Sequence, residues 1–311
     1  MSRIVELNQL SRVFDGVVAV DDLSLKVDKG ELFGLVGPDG AGKTTTIRLL
    51  CGILEPSAGD ARVVGYSIRT EAEQIKSRIG YMPQRFGLYG DLTVLENLHF
   101  YADVYQVPRK ERSERLRRLL DFSRLEPFSD RLARDLSGGM KQKLGLACAL
   151  IHTPEVLFLD EPTCGVDPLS RRDFWRILYD LTRQGVTIFM STAYLDEAER
   201  CTRVGLMHQG RLMVCASPVS IRSRLPGEVW QIRCDNNRLA EKEIRSMRTV
   251  SVHLVGNTLH LIFTESAASM DLVADHLKQA RLTVLEARRL SPSLEDAFLH
   301  LIQRETGKAS S

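Results

Sequence analysis

Nine consecutive residues limit what this chain can fold into more than any others: Gly37-Pro38-Asp39-Gly40-Ala41-Gly42-Lys43-Thr44-Thr45. Their spacing is G-x-x-x-x-G-K-[ST], and their setting matches it. Glu31 to Val36 reads as a short buried strand running in and Thr44 to Leu50 as a helix running out, with Gly52 where that helix could end. A triphosphate packs several negative charges together, so the chain must bring many donors close with no side chain in the way. Gly37, Gly40 and Gly42 permit that approach. Backbone N–H groups at the helix N-terminus then face the anionic oxygens. Lys43 adds a mobile positive charge, and Thr44 offers a hydroxyl to Mg²⁺. The stretch reads as a nucleotide site.

The remaining composition narrows the class. With 311 residues the chain holds two domains or one large one. Hydrophobic residues at 43% and charged residues at 26% are ordinary for a soluble globular protein. A net charge of +2 argues for neither a nucleic-acid coat nor an acidic tail. No apolar run approaches the roughly eighteen residues of a membrane span; the longest, Leu144 to Ile151, ends at His152. Met1 to Glu6 carries no signal-peptide apolar region. The six cysteines lack paired metal-ligand spacing, which fits a reducing, cytosolic compartment.

Along the chain, Ile4 to Val13 and Val18 to Val27 alternate apolar and polar residues as antiparallel strands do. Phe14 stands between them, before Asp15-Gly16; its position alone suits a base-stacking aromatic or a hairpin-end core residue equally. Ala61 to Val64 and Ile79 to Met82 are further strands, and Gln84 follows the second in a loop. Thr93 to Glu96 has the form of a capping box. Arg109 to Phe122 is a helix with a basic face, the pattern of a solvated surface. Leu136-Ser137-Gly138-Gly139 opens a long apolar helix, and paired glycines before a helix are a second anion-binding arrangement. Val156-Leu157-Phe158-Leu159-Asp160-Glu161 places two carboxylates at the end of a buried strand. There Asp160 would reach Mg²⁺, and Glu161 could orient an attacking water. Pro226-Gly227 marks a linker. Beyond it Val229–Cys234, Arg238–Met247, Val250–Val255, Thr258–Phe263, Ala267–Gln279 and Leu282–Arg289 read strand, helix, strand, strand, helix, strand, a ferredoxin-like order. A last helix ends near Arg304, and Gly307 to Ser311 reads as disordered.

The phosphate loop, Gln84, Leu136-Ser137-Gly138-Gly139 and Leu159-Asp160-Glu161-Pro162, in that order, resemble the ATPase subunit of an ABC (ATP-binding-cassette) transporter over residues 3 to about 222. The C-terminal Pro292-Ser293-Leu294-Glu295-Asp296-Ala297-Phe298 looks like the appendix on drug- and polymer-exporting branches. The resemblance implies an α/β fold: a P-loop cassette at 1–225 with a RecA-like core, an antiparallel β subdomain and a helical signature subdomain. A ferredoxin-like α+β domain at 228–304 and a disordered tail at 305–311 would come after it. It implies ATP bound by Phe14 on adenine and by Gly37, Pro38, Asp39, Gly40, Ala41, Gly42, Lys43, Thr44 and Thr45. Thr44, Gln84 and Asp160 would serve Mg²⁺. Glu161 would be the base, assisted by Gln84 and Lys43. Ser137, Gly138 and Gly139 would complete the site of a second cassette, paired head to tail as a homodimer or heterodimer, and Asp167 would lie on the loop joining the two sites.

The same resemblance implies an energising subunit for an exporter, cytoplasmic and peripheral on the inner face of the cell membrane. Its multispan permease would be a separate chain met through residues 84 to 105, and no nucleic acid would take part. Leu88, Tyr89, Leu92 and Leu95 there fit partner contact and helix core equally. Three positions depart from the family pattern. Asp39 replaces Asn, Met140 replaces Gln, and Ala193, in Ser191-Thr192-Ala193-Tyr194-Leu195-Asp196-Glu197, replaces the histidine that contacts the γ-phosphate. A methyl group cannot donate that hydrogen bond. The alternatives are therefore a slowly hydrolysing or regulatory cassette paired with an active one, or a soluble ATP-driven factor.

Overall fold

The computed structural model describes residues 2–85, 87–225, 227–247, 249–263 and 269–309, with side chains to 302. It divides into two compact units, Met1–Cys215 and Ala216–Ser311.

The first unit contains two sheets. β1 (Arg3–Phe14) and β2 (Val17–Asp28) pair antiparallel around Asp15-Gly16, both in left-handed backbone at φ 45° and 85°. With β4 (Ala58–Val63) and β5 (Tyr66–Ser67) they form the order β2-β1-β4-β5. The second sheet comprises β3 (Leu32–Val36), β6 (Ile79–Met82), β7 (Val156–Asp160), β8 (Thr187–Thr192), β9 (Arg203–His208) and β10 (Arg211–Ala216). Its order is β10-β9-β3-β8-β7-β6. β3 runs parallel to β8 and β9, and β7 parallel to β8 and β6. Parallel strands need cover on both faces, and β3, β7 and β8 are buried along their whole length.

This strand order builds the site. β8 lies between β3 and β7, with β6 beyond, so the loops leaving four adjacent parallel strands meet at one carboxyl edge. Open α/β sheets bind ligands at that edge. The helices packed on this sheet are α1 (Lys43–Leu50), α2 (Ala72–Lys76), α6 (Pro168–Arg183) and α7 (Leu195–Ala198). α3 (Val94–Val104), α4 (Arg109–Ser123) and α5 (Gly138–Leu150) pack on a separate core that includes Leu98, Leu116, Leu120 and Leu144. Both halves of the expected capping box form at α3: Thr93 accepts from Glu96 N–H at 3.1 Å, and Thr93 N–H donates back to Glu96 at 2.8 Å.

The second unit begins with α8 (Pro218–Arg222). This helix packs against α11 (Leu294–Ala309), so the division falls near 215 rather than at the 225 read from the sequence. Pro226, half of the expected linker, lies outside the described residues. β11 (Val229–Cys234), α9 (Asn237–Arg245), β12 (Val250–Val255), β13 (Thr258–Phe263), α10 (Met270–Gln279) and β14 (Val284–Leu290) follow. The sheet is antiparallel in the order β12-β13-β11-β14. Ala240 and Ile244 of α9 and Val273 and Leu277 of α10 close one core with Ile232, Val252, Leu259 and Leu261. α11 starts with a reciprocal cap, in which Ser293 N–H donates to Asp296 at 2.9 Å and Asp296 N–H to Ser293 at 3.1 Å. It continues to Ala309, past the end expected near Arg304 and through most of the expected tail; residues 310 and 311 lie outside the described residues.

Burial gives this unit an acid-sensitive group. His253 on β12 is held down at about 4, by desolvation first, with His300 and Arg245 adding to it and Asp296 opposing. A depressed imidazole leaves the unfolded chain to take up the proton first. Stability is therefore whole above about pH 6.5 and is lost as pH falls towards 4. Discounted for solvent screening, the loss is on the order of 2 kcal/mol. Urea denaturation at pH 7 and pH 5 should show it, and His253→Gln should flatten the difference.

Candidate nucleotide site

The phosphate loop occupies the turn between β3 and α1. Gly42 stands at φ 100° before the helix, where an added Cβ would lie 2.2 Å from Ala19 O. A Cβ on Gly37 would lie 2.2 Å from Met207 O. Both positions therefore exclude a side chain. The Lys43 side chain is buried and folds back over the loop, donating to Gly37 O at 2.8 Å and Pro38 O at 3.0 Å. Its amino group also pairs with Glu161 Oε1 at 3.1 Å.

Asp160 ends β7 and Glu161 follows it, in different environments. Asp160 is buried, and its Oδ1 accepts from Thr44 Oγ1 at 3.0 Å and from Ser191 Oγ at 2.6 Å. Oδ2 is buried with no hydrogen-bond partner among the described residues. Glu161 lies in left-handed backbone at φ 48°. Its N–H donates to Ser191 Oγ at 3.0 Å, and Gln84 Nε2 donates to its Oε2 at 3.1 Å. An orphaned carboxylate oxygen, a threonine hydroxyl and a nearby amide make a hard oxygen set that fits Mg²⁺ carried in with phosphates. No group of three or more His, Cys, Asp or Glu among the described residues could hold a metal by itself.

A cleft of about 470 Å³ is lined by Val17, Val18 and Ala19 of β2, by Asp39 to Thr45, and by Gln84 and Glu161. Phe14 is set back from this lining. It is half exposed at the hairpin end, with the Arg12 guanidinium 4.4 Å above its ring. Ser137, Gly138 and Gly139 also lie outside the lining, at the start of α5, where Ser137 Oγ accepts from Met140 N–H at 3.3 Å. A Cβ on Gly139 would lie 2.4 Å from the Cβ of Ser170 on α6. Asp167 caps α6, accepting from Ser170 N–H at 2.9 Å and Leu169 N–H at 3.1 Å. Hydrogen bonds, first from Ser170, hold its carboxyl below the usual carboxylate range. Ala193 is exposed just beyond β8, and His208 sits at the Gln209-Gly210 turn.

Sequence reasoning missed Ser191, which joins both acids, and the wall made by Val17 and Val18. The signal was present in exposed valines at a strand start and in a polar pair ending a buried strand.

A family model described as ABC transporter matches residues 20–164. "Nod factor export ATP-binding protein I" from Cupriavidus metallidurans is 35% identical over 312 residues, covering 98% of this chain and 99% of that protein. The chain belongs to the ABC transporter ATP-binding family. The chain is also 41% identical over 305 residues to "Probable multidrug ABC transporter ATP-binding protein YbhF" from Escherichia coli. That match covers 96% of this chain and 52% of the relative, so the chain spans about half of that protein's length. A solved structure titled "Structure of ATP binding subunit of ABC transporter" superposes with a TM-score of 0.65 at 32% identity, covering 71% of this chain and 92% of that chain. cbiO1 from Clostridium perfringens, part of the transporter complex cbiONQ, gives 0.67 at 27% identity, covering 72% and 92%.

Proposed function

We propose that this chain is the ATP-hydrolysing subunit of an exporter and drives a separate multispan permease. One observation carries the reading. Lys43, Thr44, Gln84, Asp160 and Glu161 arrive from three loops at the carboxyl edge of adjacent strands and touch one another there. A triphosphate seated on the loop takes the Lys43 amino group from Glu161. The released carboxylate, still held by Gln84, is then placed to accept a proton from the attacking water. Mg²⁺, held through Thr44, Asp160 and Gln84, would supply charge neutralisation at the phosphate oxygens. Phe14 would stack on adenine once Arg12 swings aside.

The signature residues lie off their own cleft, which favours their serving a second cassette, a homodimer or heterodimer partner. Relatives named for Nod factor and multidrug transport point to export. Among the described residues no helix is long and apolar enough to cross a membrane, which is consistent with a permease on another chain; the family resemblance, not this absence, is what suggests the membrane's inner face. Tyr89, half exposed, is offered as a permease contact, whereas Leu88 and Leu95 pack on the helical core. The strand order of the second unit supports a ferredoxin-like accessory domain. Phosphate release that requires Mg²⁺, and membrane retention only on co-expression with a permease, are the expected results. Membrane retention without any permease, or no phosphate release at all, would sink the reading.

A second reading, slow hydrolysis, rests on Ala193. A donor aimed at developing charge is worth about a hundredfold in rate. Ala193→His should raise steady-state phosphate release at saturating ATP at least several-fold, with binding nearly unchanged. A fast wild type with no gain from histidine would show that another group does that work.

A further inference from the structure

Glu197 stands on α7, outside the loops that line the cleft, and is fully buried at 0% exposure. A carboxylate withdrawn from water is costly unless it is paired and hydrogen-bonded. Here the partners come from three separate segments. The hydroxyl of Thr163, on the loop after Glu161, donates to Oε1 in a short hydrogen bond. The hydroxyl of Thr192, the last residue of β8, donates to Oε2 at 2.8 Å. Arg171 of α6 brings its Nε to 3.6 Å from Oε1, with its guanidinium 4.7 Å over the ring of Tyr194. Thr192 Oγ1 in turn accepts the N–H of Tyr194 at 3.0 Å. The backbone on both sides of Ala193 is thus fastened to one buried anion.

We infer that Glu197 is a positioning residue for hydrolysis: it ties the loop after the base Glu161 to the segment that carries Ala193, so that both present a single geometry to the γ-phosphate. Ser191 makes a parallel tie one residue earlier, donating to Asp160 at 2.6 Å while accepting the Glu161 N–H at 3.0 Å. Two hydroxyl donors and a guanidinium call for acceptors only. Glutamine at 197 keeps the shape and turns one acceptor into a donor, so Glu197→Gln breaks a tie without emptying the site. This inference rests on the ATPase reading above.

Four proteins test it: wild type, Glu197→Gln, Thr192→Val and Thr192→Ser, each assayed well below its melting temperature. Misplacing reacting groups by an ångström costs up to about a hundredfold. Glu197→Gln and Thr192→Val should accordingly lower kcat about tenfold or more, with the Kd for ATP within about threefold of wild type. Thr192→Ser keeps the hydroxyl and should stay within about twofold in kcat. Amide hydrogen exchange provides a readout that does not need turnover: Glu197→Gln should speed exchange in both 161–166 and 192–196. Unchanged exchange in either segment overturns the tie. So does wild-type kcat in Glu197→Gln, or a loss of melting temperature with no loss of kcat. Should Glu197→Gln not fold, the contrast between Val and Ser at 192 decides. A wild type that binds ATP without hydrolysing it sinks the ATPase reading alone, and the exchange data then still judge the tie.

Discussion

Lys43→Ala should weaken ATP binding by about a hundredfold or more. The lysine is buried at 4% exposure and does two jobs in one place. It supplies a charge-assisted hydrogen bond to phosphate, worth roughly 1.5–3 kcal/mol. It also faces Glu161 at 3.1 Å, so its removal leaves an uncompensated carboxylate beside the triphosphate. The two losses act in the same direction. Adding Glu161→Gln to Lys43→Ala should therefore recover part of the affinity, although neither change restores the lost donor. Calorimetric titration with ATP and Mg²⁺ separates these effects. Unchanged affinity in Lys43→Ala would remove the lysine from the site, and no recovery in the double variant would mean that Glu161 does not oppose phosphate.

Glu161→Gln should hold ATP and lose turnover by about a hundredfold or more, the usual range for a missing general base. The amide keeps the side chain's length but cannot accept a proton. The structure adds a second expectation: without its anionic partner, Lys43 is freer for phosphate, so ATP affinity should equal or exceed that of wild type. With hydrolysis stopped, ATP should hold two chains together in size-exclusion chromatography. A monomer under those conditions counts against self-pairing and leaves pairing with a different cassette in place. Turnover within about threefold of wild type would assign the base elsewhere.

The sequence carried the parts of the site whose chemistry depends on fixed local spacing. Lys43 and Thr44 come directly after the loop glycines, and Asp160-Glu161 end an uninterrupted apolar run. The insertion of β8 between β3 and β7 is a long-range pairing with no local trace. Ser191 meets Asp160 across 31 positions and Thr163 meets Glu197 across 34, so neither tie leaves a spacing to recognise. Glu197 in particular has the local pattern of an ordinary acid on a short helix. Phe14 is ambiguous for a related reason, since the Arg12 guanidinium over its ring depends on the twist of the hairpin. At the other end, the Pro226-Gly227 pair marks a boundary in composition, whereas packing of α8 on α11 sets the division near 215.

The close approach of Gly139 to Ser170 has a mechanical meaning. Gly139 in the first turn of α5 lies directly against the Ser170 side chain in the first turn of α6, and Asp167 is hydrogen-bonded to that same Ser170. There is little slack between them. A displacement of Gly139 towards α6 would press on the Ser170 Cβ and so on the helix turn that Asp167 caps, in the manner of a bearing with little play. Filling that bearing by one methyl group, as Gly139→Ala would, forces the starts of the two helices to shift apart.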